Sequence, residues 1–299
     1  MIGEVSLTLP LPLLKRAITW HAVDGPSCVA LMNLSEVIEF IPQHSEEEVQ
    51  QIHAVVCCQS FSSCRMQNTE KYFLISDYIR GCCMEDPSSL QIEINTDWLV
   101  ANNGDLPSLG LRMISLLPIY FLMQYESIGL FHGALVSNGA HVCLVGGPSG
   151  MGKTTFCREL AASWQIWADD LVLCCFHNGI CGAQPLPTWS IWVSNSAPPR
   201  SFQSSLVLEL NKVILLGRGE ANWRRLTRPE LKLAMAESFG VFLSYGAKKF
   251  RMPLSVRQLW LNLNPLLDFY CDCLPGFLFQ RTLKDPADIL LAKYLGEAR

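Results

Sequence analysis

The segment "HVCLVGGPSGMGKTTFCREL", residues 141–160, constrains this chain more than any other. An apolar run enters a cluster of glycines, and Gly147-Pro148-Ser149-Gly150-Met151-Gly152-Lys153-Thr154 matches G-x-x-x-x-G-K-[ST] without a gap. Each part has a physical task. Glycines let the backbone curl so that successive N–H groups point at phosphate oxygens. A helix starting at the lysine adds the partial positive charge of its N-terminus. Lys153 supplies a full charge for β- and γ-phosphates, and the Thr154 hydroxyl can ligate Mg²⁺, with Thr155 beside it in the same turn. "VCLV" reads as a strand and "KTTFCRELAAS" as a helix, the context that separates this motif from an ordinary glycine-rich turn. Residues 147–155 are therefore the expected cradle of ATP or another nucleoside triphosphate with Mg²⁺.

Two aspartates follow at a telling distance, in "WADD" (167–170). A helix of about 11 residues carries the chain about 16 Å from the loop at about 1.5 Å per residue. The strand "WQIWA" returns about 16–20 Å at about 3.3 Å per residue. Asp169 and Asp170 thus arrive back at the loop's edge of the sheet, where a Mg²⁺ ligand and a base are needed. The plainer reading is a turn with a capping aspartate. His132 lies 15 residues before the loop, on the strand expected to pair with the one entering it. Taken alone, such a histidine is more often structural.

Around this core the chain divides into a β-rich N-terminal region, 1–105, and a nucleotide-binding domain, 106–299. "SCVALMNL", "EVIEFI", "HAVVCC", "KYFLISDYI" and "LQIEINTDWLVA" are short β-prone runs, and "SEEEVQQ" (45–51) reads as a solvated turn or short helix. "NNGDLPS" (102–108) marks the boundary, and 109–127 an apolar connecting helix. Ser137-Asn138-Gly139 predicts a hairpin pairing Phe131–Val136 with His141–Val145, and His177-Asn178-Gly179 predicts a second. "SSLVLELNKVILLGR" predicts one or two further strands, and "RPELKLAMAESFGVFLSY" and "DPADILLAKYLGEAR" have helical spacing.

Composition excludes several classes. A formal charge of −4 lacks the basic face of a nucleic-acid binder. The most apolar window, "MISLLPIYFLM" (113–123), is too short for a membrane span and contains Pro118. "MIGEVSLTLPLPLLKRA" carries Glu4 and no basic n-region, so a cytoplasmic protein is expected. The 13 cysteines form no pair of CxxC knuckles and sit partly in apolar runs, which suits reduced, buried thiols better than zinc ligands.

The combination of "HGALV" (132–136), "GGPSGMGKTT" (146–155) and "WADDLVL" (167–173), in this order and spacing, resembles the HPr kinase/phosphorylase group. That group's phosphate-binding fold is similar to that of phosphoenolpyruvate carboxykinase. Within it the chain is most similar to HPr-kinase-like families of peptide-modification gene clusters, the lasso-peptide kinases and above all SynChlorMet cassette protein C. "PLPTWS" (185–190) shares in the likeness, which covers roughly 128–240. The resemblance implies an α/β fold with an HPr kinase/PEP carboxykinase-like P-loop core behind the β-rich N-terminal region. It implies His132 beside the transferred phosphate and Asp169 taking the proton of an acceptor hydroxyl. It also implies Asp170 near the metal, with Lys153 and Thr154 on phosphate and Mg²⁺. The later glycine-rich signature of HPr kinases, with its acidic residue and arginine, has only a superficial echo in "LLGRGEAN" (215–222). Neither phosphorylase activity nor HPr as substrate is therefore implied.

The expected function is an ATP/Mg²⁺-dependent kinase acting on a Ser/Thr hydroxyl of a ribosomally made peptide or a protein. The segment 183–202 and the N-terminal region would help to hold that substrate. Arg200, Arg218, Arg224 and Arg225 are candidates for binding the acceptor or the transition-state charge. Other maturation enzymes and a second copy of the chain are candidate partners; nucleic acid and membrane are not. The alternatives are a nucleotide-dependent binding or scaffold protein without kinase turnover, and a nucleotide-binding remnant that serves assembly.

Overall fold

A computed structural model describes residues 5–11, 16–35, 38–39, 50–61, 72–76, 79–83, 89–101, 108–160, 164–186, 202–203, 206–249, 256–282 and 285–297. Two units divide the chain: Met1–Glu126 with Asn195–Ser205 and Leu243–Asn262, and Ser127–Ser194 with Leu206–Phe242 and Leu263–Arg299.

The first unit carries β1 (Val5–Leu11), β2 (Arg16–Ala22), α1 (Gly25–Ser35), β3 (Ile38–Glu39), β4 (Gln50–Gln59), β5 (Tyr72–Ser76), β6 (Ile79–Cys83), β7 (Ser89–Asn95), α2 (Thr96–Ala101) and α3 (Ser108–Leu122). Its sheet has the order β1-β2-β4-β7-β6-β5. β4 alternates, burying Ile52, Ala54 and Val56 in the period-two pattern of a strand with one covered face, whereas β2 buries the consecutive run Ala17–Trp20 and β7 the run Ile92–Ile94. Trp20 Nε1 donates to the carbonyl of Ile114 on α3 at 3.1 Å.

"SCVALMNL", expected as a β-prone run, is helix α1. Two causes are visible. β2 and β4 are parallel, and parallel neighbours need a crossover, usually a helix. A reciprocal cap also starts the helix: Asp24 Oδ1 accepts from the Ser27 N–H at 2.8 Å, and Ser27 Oγ accepts from the Asp24 N–H at 3.2 Å, as in a capping box. "LQIEINTDWLVA" likewise splits into β7 and α2, with the Asp97 N–H bonded to Asn95 Oδ1 at the junction. Most of "SEEEVQQ" and of the 102–108 boundary lies outside the described residues.

The second unit carries β8 (Ile128–His132), β9 (Ala134–Ser137), β10 (Val142–Gly146), α4 (Lys153–Leu160), β11 (Gln165–Ala168), β12 (Leu171–His177) and β13 (Ile180–Pro185). Next in the chain, β14 (Phe202–Gln203) belongs to the first unit and pairs there with β3. There follow β15 (Leu208–Glu209), β16 (Lys212–Arg218), β17 (Asn222–Arg225), α5 (Arg228–Lys249), α6 (Val256–Cys273), β18 (Gly276–Arg281) and α7 (Ala287–Glu297), with α5 from Leu243 and α6 as far as Asn262 counted in the first unit. Two sheets result, β11-β9-β10-β16-β18-β17 and β15-β13-β12-β8. One core cluster joins α4 and α7 to the larger sheet through Phe156, Leu160, Val145, Ile214, Phe279 and Leu291.

Both Asn-Gly turns close hairpins. Asn138 Oδ1 accepts from the N–H groups of Ala140 and His141 between β9 and β10, and Asn178 and Gly179 take φ of 50° and 81° between β12 and β13, as a type I′ turn requires. The first hairpin is shorter than expected. Only residues from Ala134 onward pair with β10, while 128–132 pair with β12 in the other sheet. The break falls at Gly133, where a Cβ would lie 2.4 Å from both the Phe131 ring and the Val145 carbonyl oxygen. Helix α6 and strand β18 have no counterpart in the expectations. Among the described residues, no helix is long and apolar enough to cross a membrane.

We predict that Gly133→Ala lowers unfolding stability by about 1–3 kcal/mol, the usual cost of forcing an atom into a filled space. Urea denaturation followed by tryptophan fluorescence would measure it. An unchanged midpoint would show that the strand break tolerates a side chain.

Candidate functional site

Strand β10 ends at Gly146, and the chain then turns through glycines at φ of 142° (Gly147), 75° (Gly150) and 92° (Gly152) before α4 begins at Lys153. These angles, which L side chains rarely adopt, are what the glycines are for. A Cβ at Gly150 or Gly152 would meet nothing within 4 Å, so the space there is open. Lys153 is 8% exposed, and its ammonium donates to the carbonyls of Gly147 at 2.9 Å and Pro148 at 3.3 Å. Burial pulls its pKa below the ordinary lysine value, and the negative charge of Asp170 pulls it partly back. A second cation reaches the loop: Arg218, at the end of β16, donates to the Gly150 carbonyl at 2.8 Å.

Asp169 and Asp170 occupy the step between β11 and β12, where the chain leaves the larger sheet for the smaller. A register irregularity between Ile166 and Ala168 precedes the step, a device that re-aims a strand. The Gly133 N–H donates to the Asp170 carbonyl at 3.0 Å, so the two sheet crossings are tied together. His132 pairs opposite Leu171, and its Nε2 lies 3.7 Å from Asp170 Oδ1. The Phe242 ring packs edge-on to the imidazole with centroids 5.7 Å apart.

The structure thus gathers His132, Lys153 and Asp170 around the loop. Asp169 is 3% exposed and lies toward α4, where burial first, and then the Asp169 charge, push the Cys157 thiol up. Thr154 is half-buried and Thr155 exposed in the first turn of α4; Pro148, Ser149 and Gly150 are exposed, while Met151 is half-buried. Of the four arginines singled out, Arg218 is on the loop. Arg224 is engaged by Glu230 at 3.0 Å, Arg225 is exposed on β17, and Arg200 lies outside the described residues, as does most of 183–202.

The open loop glycines and the desolvated lysine fit a polyphosphate, since charge-assisted N–H and ammonium donors converge there. The hard oxygen donors near it, Thr154 and Asp170, fit Mg²⁺, which takes one or two protein ligands plus phosphate oxygens. Among the described residues no group of three or more His, Cys, Asp or Glu could hold a metal alone.

A cleft of about 300 Å³ adjoins the loop, lined by His132, Gly147, Ser149, Leu215, Glu237 and Ser238 among others. Its α5 wall was missed in the sequence, although Ala234, Glu237, Ser238 and Val241 share the helical spacing of one face.

Strand, glycine loop and helix in this arrangement define a P-loop-type α/β core. Residues 101–249, just under half of the chain, match the family described as SynChlorMet cassette protein ScmC. A comparison with curated proteins returns no match. Among solved structures, the HPr(Ser) kinase/phosphatase from Coxiella burnetii is similar at 12% identity, over 56% of this chain and 97% of that one, with a TM-score of 0.30.

The buried lysine makes a prediction in two directions. Lys153→Met removes a desolvated charge and should leave the ligand-free protein at least as heat-stable as the parent. It should abolish stabilisation by ATP, which at about 100 times Kd is worth about 2.7 kcal/mol. Thermal unfolding with and without ATP checks both. Equal ATP stabilisation of the parent and the variant would remove Lys153 from the site.

Proposed function

We propose that this chain is an ATP- and Mg²⁺-dependent kinase that phosphorylates a Ser or Thr hydroxyl of a ribosomally made peptide or a protein. The observation that carries this reading is the meeting of His132, Lys153 and Asp170 at one glycine loop. A binding or assembly protein needs the loop and lysine but not a histidine–carboxylate pair beside them. The family match at 101–249, to a cassette protein, favours work alongside other maturation enzymes.

Phosphoryl transfer asks a protein mainly for position and charge. The loop N–H groups and α4 hold the phosphates, and Lys153 faces the β- and γ-oxygens. Thr154 and Asp170 would hold Mg²⁺, which when bound neutralises charge on the β- and γ-phosphates. The acceptor oxygen bonds to the γ-phosphorus while the bond to the β,γ-bridging oxygen breaks, and its electron pair leaves with ADP. The hydroxyl proton passes to a carboxylate, assigned to Asp169. His132, packed on Phe242, stands beside the transferred group and contributes hydrogen-bonding capacity. One distance favours exchanging the carboxylates: Asp170, not Asp169, lies 3.7 Å from His132.

Asp169→Asn should keep ATP binding and lose transfer, because an amide cannot accept the proton. Asp170→Asn should chiefly raise the Mg²⁺ requirement. Intact-mass spectrometry of Ser/Thr peptides incubated with enzyme, ATP and Mg²⁺ should show a gain of about 80 Da, one phosphoryl group. If Asp170→Asn is dead at every Mg²⁺ concentration while Asp169→Asn retains transfer, the two roles are reversed. ATP binding without acceptor-dependent ADP release from the parent protein would favour the scaffold function instead.

A further inference from the structure

From the cleft we infer a substrate class: the acceptor is a hydroxyl next to an aliphatic side chain, on a segment that carries a lysine or arginine for Glu237. This inference rests on the kinase reading and adds the direction of approach and the chemistry recognised there.

The direction follows from Lys153. Its ammonium lies on the carbonyls of Gly147 and Pro148, and the lysine of such a loop faces the β- and γ-phosphates. The start of the loop is therefore the γ-end of the phosphate chain, and the exposed Thr155 in the first turn of α4 is the end nearer the nucleoside. The cleft opens from the γ-end: Gly147, Pro148, Ser149 and His132 form its inner border. His132 is shared, lining the cleft while standing 3.7 Å from Asp170. Whatever fills this space touches the site of transfer beside His132.

The lining gives the chemistry. Leu215, Leu216 and Leu278 from the sheet, with Ala234 and Val241 from α5, make an aliphatic surface, and Val241 is 44% exposed at the mouth. At about 300 Å³ the volume suits a side chain or two, at the small end of ligand sites. Ser238 is turned back on its own helix, donating to the Ala234 carbonyl at 3.1 Å. Glu237 is the one carboxylate in the lining, and His132 the one other titratable side chain there. The other acidic residues near it in sequence and on α6 are matched: Glu230 with Arg224, and Asp268 and Asp272 with Arg228 and Lys232. Among the described residues no ion pair engages Glu237. A carboxylate at the rim of an apolar cleft, beside a loop that draws in polyanions, selects for a cation on the incoming segment and against a second acidic group.

The test uses the full-length protein with ATP, Mg²⁺ and pools of short peptides. Each pool has a central serine flanked by aliphatic residues and carries a lysine, a glutamate or neither. Transfer is read by intact mass, and ATP affinity by titration of a fluorescent analogue. The lysine pool should be preferred over the glutamate pool by about tenfold in kcat/KM, and Glu237→Lys should invert that order. Val241→Trp, which fills the exposed mouth, should raise peptide KM by about tenfold while ATP affinity stays within about twofold. Transfer without charge preference, or a preference that Glu237→Lys leaves unchanged, overturns the inference and leaves the kinase standing. Weakened ATP binding by either variant also overturns it, because the cleft then holds the nucleoside. If no pool is phosphorylated although ATP binds, the peptide-kinase function fails and this inference fails with it.

Discussion

The hydrogen bond from the Gly133 N–H to the Asp170 carbonyl is the point on which the candidate site depends. Two strand pairs, β8–β9 and β11–β12, each pass from one sheet to the other, and they pass at the same place. A strand that changes sheets leaves one backbone donor or acceptor without its ladder partner, and here the two orphans satisfy each other. The step sets His132 at the end of one strand and Asp170 at the start of the other, so that neither depends on a long loop for its position. Sites on strand ends are held more precisely than sites on loops. The glycine loop, one strand away on β10, then needs only its own turn to complete the set.

The buried lysine of the loop is a cost to the fold rather than a support. Lys153 is pulled below its ordinary pKa by burial, so its charged form is a cost to the folded state, present below the lowered pKa and relieved as pH rises through it. Asp169 is nearly inaccessible. The first unit treats charge differently. Arg80 and Glu93, both buried, face each other on β6 and β7, and Gln91 donates to the same carboxylate at 2.8 Å. Each charge of that pair thus meets its opposite within the sheet, as a buried ion pair requires. At the loop, by contrast, His132 lines a cleft, the setting in which a charged group is a candidate for function.

Much of the site was legible because its parts are local. The glycine spacing, the lysine and the threonine lie in one run, and the path out along a helix and back along a strand could be measured in residues before the sheet was known. Both Asn-Gly hairpins were legible for the same reason. What escaped depends on partners distant in sequence. "SCVALMNL" has strand-like composition, and only the parallel pairing of β2 with β4 demands a helix there. Gly133 breaks a strand because Phe131 and Val145 leave no room for a side chain, a fact of packing that no local pattern carries. Glu237 looked like one more polar residue on an amphipathic helix. The roles of Asp169 and Asp170 were divided by resemblance, and it takes their different burial to show that adjacent carboxylates meet different surroundings.

The two carbonyl contacts of Lys153 have a further consequence. The loop solvates its own cation through the backbone oxygens of Gly147 and Pro148. An incoming anion therefore does not fall onto a bare charge; it must exchange with Gly147 and Pro148 for the ammonium. Such an exchange gains only the difference between a charged and a neutral acceptor, a modest amount per bond. A lone phosphate, offering little beyond that swap, has weak purchase. A chain of phosphates that also reaches the loop N–H groups and α4 gains at several positions for one exchange. On the proposed reading the loop would therefore select for ligand length as much as for charge, favouring a chain of phosphates over a single small anion.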